Sequence, residues 1–328
     1  MKILVTGATG FTGSYLASAL VQEGHCVRAL ARRTSNITYL RNLGVEIHYG
    51  DLRDNESIRN ATRGVEVIYH VAAIYRQAGI PNHMYWSVNV EGTRNLLSSA
   101  VQQGIERFVY CSTVGVHGHI SNPPADETAP FSPGDEYQRT KLEAENEALS
   151  FHRKYGLAVV VARPTGIYGP GDLRLLKLFR AIQRKRFWML GSGSTLYHLT
   201  FVTDVVSGLL LCGNKTNAVG QTYILGGNQY LTLTELANLI ADKLDVPYKQ
   251  RHLPVLPFYI AGWICEKICI PLRIEPPIYR RRVDFFTKDR AFNICKAKKD
   301  LGYQPQVNLP RGIQDTANWY KEKGYLRK

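Results

Sequence analysis

The segment Gly7-Ala8-Thr9-Gly10-Phe11-Thr12-Gly13 follows a short β-rich run, Lys2–Thr6, and opens a stretch of helical pattern over 12–23. Few architectures need a strand, a glycine turn and a helix in that order. Glycine lets the backbone turn with φ above zero and lets a second backbone or a phosphate come close. The helix start adds oriented, unpaired N–H groups and the positive end of the helix dipole. The spacing is GxxGxxG rather than GxGxxG, and a glycine-rich turn can be purely structural. At the first strand–helix junction, however, it predicts a pyrophosphate cradle for a dinucleotide. Its candidate contacts are Gly7, Thr9, Gly10, Phe11, Thr12 and Gly13.

The rest of the first 165 residues repeats that rhythm. Strands are predicted at 2–6, 25–31, 45–50, 65–71, 107–113 and 157–162, and helices at 12–23, 55–62, 83–103 and 136–155. Their Val/Ile/Leu-rich interiors suit parallel strands buried on both faces. The expected class is α/β: a Rossmann-type, doubly wound parallel sheet over 1–170, with some later segments returning to it. Residues 171–328 are read mainly as a smaller α/β substrate-binding part. There, Thr232 and Glu235 form a capping-box pattern for a helix over 231–244, and 291–301 reads as a further helix ended by Gly302.

Bulk properties narrow the partners. Of 328 residues, 45% are hydrophobic and 21% charged, which excludes a disordered chain. The apolar run 3–5 is too short for a signal peptide. The longest uncharged candidate for a span, 253–265, is well short of the roughly 20 residues required. Six scattered cysteines without a CxxC pair suggest reduced thiols in the cytoplasm and no metal site. The net charge is +14, with fifteen Lys/Arg against six Asp/Glu over 267–328. No nucleic-acid-binding motif accompanies that charge, so a nucleic-acid partner is not expected. The apolar stretch 253–270, followed by Arg280-Arg281-Arg282, suggests an ordinary core helix with a basic flank. It also suits a peripheral membrane contact over 253–283 or a cap on an apolar substrate.

The second strand delivers a residue to the adenosine ribose in such folds. An acid there bonds the 2′-hydroxyl of NAD, whereas arginine accommodates the 2′-phosphate of NADP. Here Arg32 and Arg33 follow the strand with no acid, which favours NADP over NAD. Tyr137 and Lys141 lie four apart on one helix face. A free tyrosine has a pKa near 10, and a nearby ammonium favours the phenolate. Such a pair can exchange a proton with an alcohol or carbonyl while hydride moves at nicotinamide. Alone, YxxxK is common and describes many exposed helix faces. Here it follows a strand ending in Cys111-Ser112-Thr113, whose hydroxyls would reach the ligand side of the sheet.

Together these residues resemble the extended short-chain dehydrogenase/reductase family, along nearly the whole chain. Further stretches are similar to that family's landmarks. Asp51-Leu52 matches an adenine-contacting position, and His70-Val71-Ala72-Ala73 a strand lining the cofactor. Asn89-Val-Glu-Gly-Thr93 matches a helix near the active site, with Asn89 implied as a cofactor contact, and Arg163-Pro164 through Gly171 the segment beside the nicotinamide. Phe201 through Val206 and Lys296 through Tyr303 match later landmarks. The resemblance implies that Tyr137 is the acid/base and that Lys141 holds the nicotinamide ribose and lowers the tyrosine pKa. It implies that Thr113, with Ser112 as close competitor, bonds the reacting oxygen. It also implies a homodimer through 83–103 and 136–155. Asp-Glu, which follows the Ser/Thr position in dehydratases, is replaced by Val114-Gly115. The reading is then a secondary-alcohol dehydrogenase or ketoreductase acting on a small, apolar or ring-containing substrate. It is similar to the 3β-hydroxysteroid dehydrogenase and dihydroflavonol reductase branches. A nucleotide-sugar epimerase with NAD is the alternative, and a non-catalytic cofactor sensor ranks below both. His117 reads as a packing residue or a substrate contact. Tyr75, Arg76, Trp86, Trp188, Tyr197 and His198 are candidates for a pocket wall.

Overall fold

The computed structural model describes residues 1–76, 79–269 and 280–327. Strands β1 (Lys2–Thr6), β2 (Cys26–Ala31), β3 (Glu46–Tyr49), β4 (Val67–His70), β5 (Arg107–Cys111) and β6 (Val159–Pro164) form one sheet with a seventh strand, Thr222–Leu225. From one edge the order is β3, β2, β1, β4, β5, β6 and then the seventh, and every pair is parallel. Successive strand residues point to opposite faces. Ile3 and Val5 enter one core, with Leu16, Leu20, Val205 and Leu209. Leu4 enters another, with Ile58, Leu96, Ala144 and Ala148. Both faces are thus apolar, which is why the strands read as continuous hydrophobic runs.

Helices α1 (Phe11–Gln22), α2 (Thr38–Asn42), α3 (Asn55–Thr62), α4 (Asn82–Tyr85), α5 (Gly92–Gln102) and α6 (Glu136–Tyr155) accompany the first six strands. The predicted helix over 83–103 is helical throughout, but Trp86–Glu91 between α4 and α5 is wound as a π-helix. Asp135 caps α6, its carboxylate accepting from the Gln138 N–H at 2.9 Å, and Gly156 ends it in the left-handed conformation, φ 69°. Strand order reverses between β1 and β4, and such a switch point leaves a crevice at the carboxyl ends of the strands.

Beyond β6, helices Leu176–Gln183, Leu233–Leu244 and Leu309–Glu322 share a third core around Phe179, Leu236, Ile240, Ile313 and Tyr320. A three-stranded sheet of Tyr230–Thr232, Leu196–Phe201 and Gly166–Tyr168 lies beside them. The Thr232–Glu235 capping box forms as predicted, and its helix starts at Leu233. The helix predicted over 291–301 is shorter, Cys295–Leu301. Phe292 is held extended by a bridge to Ala125, and the Asn293 side chain accepts from the Cys295 N–H at 2.8 Å, so the helix starts only there. The apolar stretch is not the core helix it was read as. Val255–Cys269 is a helix with Leu256, Tyr259, Ile260, Trp263, Ile264 and Ile268 all exposed. The rest of that prediction, 270–279 and the side chains of Arg280, Arg281 and Arg282, lies outside the described residues. No described helix is long and apolar enough to cross a membrane.

An ion pair ties α6 to β6 inside the second core. The Arg163 guanidinium donates to both Glu145 oxygens, with Nε at 3.1 and 3.2 Å, and the two side chains are only 4% and 1% exposed. Its Nη1 reaches His117 Nε2 and the Glu127 carbonyl, each at 3.0 Å. Removing one partner of a buried pair strands the other. Glu145→Ala should therefore lower unfolding stability by about 3–5 kcal/mol in urea titration. Glu145→Leu with Arg163→Met, which removes both charges, should regain most of that loss.

Candidate active site

A cleft of about 810 Å³ opens where the strand order reverses. Its walls are the glycine loop, the segments 30–32, 50–53, 71–76, 111–115, 164–167, 171–175 and 197–199, and single residues including Tyr137, Lys141 and Arg290. The glycine positions have distinct reasons. Gly7 has φ +76°, and a Cβ on it would stand 2.7 Å from the Ala72 nitrogen. A Cβ on Gly13 would stand 2.1 Å from the Gly7 oxygen, so α1 can pack against β1 only through glycine there. Gly10 begins α1 with no side-chain cap, and the first turn carries no acidic residue. The helix start therefore offers N–H donors to whatever occupies the cleft, which fits a pyrophosphate.

The other predicted cofactor contacts divide. Arg32, Asp51, Leu52, Val71, Ala72, Ala73 and Pro164 line the cleft. Arg33 and Asn89 do not. Arg33 lies over the Tyr49 ring at 5.3 Å. Asn89 is buried, accepting from the Ile74 N–H at 2.8 Å and donating to the Ile74 carbonyl at 3.2 Å and the Thr140 hydroxyl at 3.0 Å. It thus positions a cleft wall from behind. Asp51 is paired with Arg53 through two bonds of 2.8 Å, and that pairing holds its carboxyl below the usual range.

At the reacting end, Lys141 is buried and its Nζ donates to the Cys111 carbonyl at 2.7 Å, 4.1 Å from the Tyr110 ring centroid. Burial pushes its pKa down to about 8, with Cys111 and Glu145 opposing. Burial pushes the Tyr137 phenol well up; Tyr75 and Cys111 add to the rise, while Arg76 and Arg174 oppose it. The Tyr75 ring meets Tyr137 edge-on at 4.9 Å, and the Arg76 guanidinium lies 5.7 Å from the Tyr137 ring. Ser112 and Thr113 both line the cleft. Thr113 Oγ1 accepts from the Gly115 N–H at 3.1 Å, which leaves its own proton to donate. Ser112 Oγ is buried with no hydrogen-bond partner among the described residues, so a ligand oxygen in the cleft would satisfy it.

Behind this wall, His70 bridges Thr6 (2.6 Å) and Thr93 (2.8 Å). Thr93 donates to the Asn89 carbonyl at 2.6 Å, so its oxygen accepts Nε2–H. Thr6, which accepts from the Ala72 N–H, has its own proton to give to Nδ1, the pattern of a neutral imidazole. Burial, with Lys141 nearby, lowers the His70 pKa to about 3. His117 is a packing residue. It is buried between the Pro130 carbonyl, 3.3 Å away, and Arg163, and is absent from the cleft wall.

Residues 3–226 match the NAD dependent epimerase/dehydratase family. The chain belongs to that family. Over 99% of its length it is 30% identical to the whole of "Sterol demethylase protein B" from Methylococcus capsulatus. It is 31% identical to "2-alkyl-3-oxoalkanoate reductase" from Stenotrophomonas maltophilia, over 96% of this chain and 98% of that one. The crystal structure of gox2253 superposes with a TM-score of 0.85 at 32% identity, covering 99% of both chains. This is an NAD(P)-dependent oxidoreductase of the extended short-chain type.

Of the aromatic and basic wall candidates, Tyr75, Arg76, Tyr197 and His198 line the family cleft. Trp86 and Trp188 do not: Trp86 donates to Glu136, and Trp188 lies under Arg251. Sequence reading missed Arg174 and Arg290, which sit in irregular segments outside the periodic elements. The signal available for Arg174 was its place just after the Arg163–Gly171 landmark; Arg290 had none.

Proposed function

We propose that this chain interconverts a ketone and a secondary alcohol on a substrate with an apolar body, with NADP as its preferred partner. The observation that carries the reading is the meeting of Tyr137, Lys141 and the partnerless Ser112 hydroxyl in one cleft with the glycine loop. The names of the two full-length relatives, one a 2-alkyl-3-oxoalkanoate reductase and one a sterol demethylase protein, support an apolar substrate.

NAD(P) supplies or takes the hydride when bound. The chain's own residues manage the proton and the reacting oxygen. Burial keeps the Tyr137 phenol protonated at neutral pH, so in the reductive direction it gives that proton to the carbonyl oxygen. Arg76 and Arg174 favour the phenolate that results. Thr113 and Ser112 donate to the same oxygen and orient it. Lys141, still mostly an ammonium at pH 7 and bonded to the Cys111 carbonyl, would hold the nicotinamide ribose. Arg32, at the cleft edge after β2, receives the 2′-phosphate. The residues after 170 supply the substrate wall, through 171–175, 197–199 and Arg290.

The large apolar residues exposed on Val255–Cys269 recur at helical spacing from Leu256 to Ile268 and form one stripe that also carries the exposed Lys267. We propose that this stripe rests on an anionic membrane surface. We also propose a homodimer through α5 and α6, which Arg94 and Glu147 join at 2.6 Å.

Three measurements test these readings. Fluorescence titration should show NADPH binding about 10- to 100-fold tighter than NADH, as loss of charge-assisted bonds of roughly 1.5–3 kcal/mol implies. Arg32→Ala should abolish that preference and Arg33→Ala should leave it. Tightly bound NAD in the purified protein would instead favour the epimerase reading. Tyr137→Phe should cut kcat by about 10²–10⁴ while NADPH still binds; undiminished turnover would remove Tyr137 from the chemistry. In sedimentation with vesicles, the protein should pellet with anionic but not neutral lipid, and Ile260→Asp with Trp263→Asp should abolish this. The lipid-free runs should give a dimer mass, and a monomer mass would reject a dimer formed through α5 and α6.

A further inference from the structure

Gln138 follows Tyr137 in α6, is only 4% exposed, and lines the cleft together with Thr113 and Gly115. Its backbone N–H donates to the Asp135 carboxylate at 2.9 Å. Its side chain folds back to the residue before that cap, where Oε1 accepts from the Gly134 N–H at 2.6 Å. A backbone N–H can pair only with the oxygen of a carboxamide. That bond therefore fixes which end of the side chain is tied to the loop and which end is left.

The end that is left is the amide nitrogen. A Cβ on Gly115 would stand 3.0 Å from Gln138 Nε2 and 3.3 Å from Thr113 Oγ1. Glycine at 115 thus leaves the nitrogen uncovered, and the two polar atoms flank one point of the wall. Among the described residues no hydrogen bond engages Nε2, whereas Oε1 is spent on Gly134. A buried N–H donor without an acceptor is unfavourable, so a ligand that supplies one is favoured there. The reacting oxygen is not that acceptor. In the proposed reaction it already receives Tyr137, Thr113 and Ser112, and an oxygen with two lone pairs has no place for a fourth donor.

We infer that Gln138 determines substrate specificity: its carboxamide donates to a second, uncharged oxygen of the substrate, beside the one that takes the Tyr137 proton. The inference rests on the oxidoreductase reading above. The carboxamide is neutral and supplies no counter-ion to an anion stripped of water, so a hydroxyl or ether oxygen suits it. Because Gln138 Nε2 and Thr113 Oγ1 flank one point, the two ligand oxygens they take are neighbours. A ketone with a hydroxyl or ether oxygen on the adjacent carbon presents such a pair, and its reduction gives the matching vicinal alcohol. Gly115 acts through Gln138, by keeping the amide open to the cleft.

The test uses the NADP⁺-saturated protein, which holds no hydride to give, and two ketones of one shape. 1-Methoxy-2-nonanone and 4-undecanone differ by an oxygen in place of one methylene, and calorimetry reads their binding. The ether should bind about tenfold more tightly, as a donor otherwise left unpaired implies. Gln138→Glu keeps an oxygen for the Gly134 N–H and removes the donor, and should bring the ratio to one or below. Gly115→Ala, whose methyl group crowds Nε2, should lower the ratio with Gln138 intact. A purely structural role would weaken both ketones alike and leave the ratio where it was. Equal binding by the wild type overturns the inference, as does a ratio that survives Gln138→Glu. Should that variant fail to fold, Gly115→Ala decides in its place. Turnover with NADPH separates this inference from the reaction it rests on. Reduction of both ketones with equal kcat/KM removes the Gln138 contact and keeps the reductase reading. A binding preference with no reduction of either removes that reading and leaves the contact standing.

Discussion

The backbone of Gly7 passes so close to Ala72 that only a hydrogen fits between them. That approach joins the end of β1 to the segment after β4 at the point where the strand order reverses. Thr6, one residue earlier, accepts from the Ala72 N–H at 3.3 Å and bonds His70. His70 passes the constraint through Thr93 to the Asn89 carbonyl, and the Asn89 amide fixes Ile74. One chain of contacts therefore runs from the glycine loop to the wall that carries Tyr75 and Arg76. A charged imidazole could not make both hydroxyl bonds in the same sense, so the low pKa of His70 keeps this chain in one arrangement.

Helix α6 spaces the other half of the site. Tyr137, Lys141 and Glu145 follow one another at intervals of four and so share a face. The first two reach the cleft, and the third holds Arg163 beneath β6. Asp135, which caps the helix, also binds Arg76. The cap, the phenol, the ammonium and the buried ion pair are thus set by one helical pitch. A shift of α6 by one residue would displace all of them together. The buried pair is weak evidence for added stability. Its geometric effect is clear: Glu145 cannot leave Arg163 without stranding it, so the register of α6 against β6 is fixed.

Legibility in the sequence followed from how local each constraint is. The strands were readable because both faces of the sheet are apolar, and α6 because Asp135 and Gly156 mark its ends. The glycine loop and the Tyr137–Lys141 pair were readable because each lies within one turn of chain. Asn89 was assigned to the cofactor, yet it lies in the π-helical stretch and its amide is spent on Ile74 and Thr140. The resemblance that implied this contact carries no signal of a π turn. Residues 291–294 carried a helix-like pattern, but bridges at Arg290 and Phe292 hold the chain extended. Arg174 and Arg290 reach the cleft through contacts over long separations, and no periodicity reports those.

The ammonium that spacing places beside Tyr137 is engaged by the Cys111 carbonyl, and the cations that oppose the rise in the Tyr137 pKa are Arg76 and Arg174. The two jobs expected of Lys141 are therefore divided. In the proposed mechanism Lys141 would present a fixed donor to the cofactor, and the arginines would bias the phenol from the cleft wall. Each arginine is held by its own carboxylate, Asp135 or Asp172, which limits how far it can swing toward the phenol. A cation held back in this way leaves the resting tyrosine protonated and still favours the anion formed when the proton departs. The proton affinity of Tyr137, raised first by burial, is thus moderated by Arg76 and Arg174, so a ligand that engages either would also alter the acidity of Tyr137. In the proposed mechanism, substrate binding and proton transfer are then coupled through the same guanidinium groups.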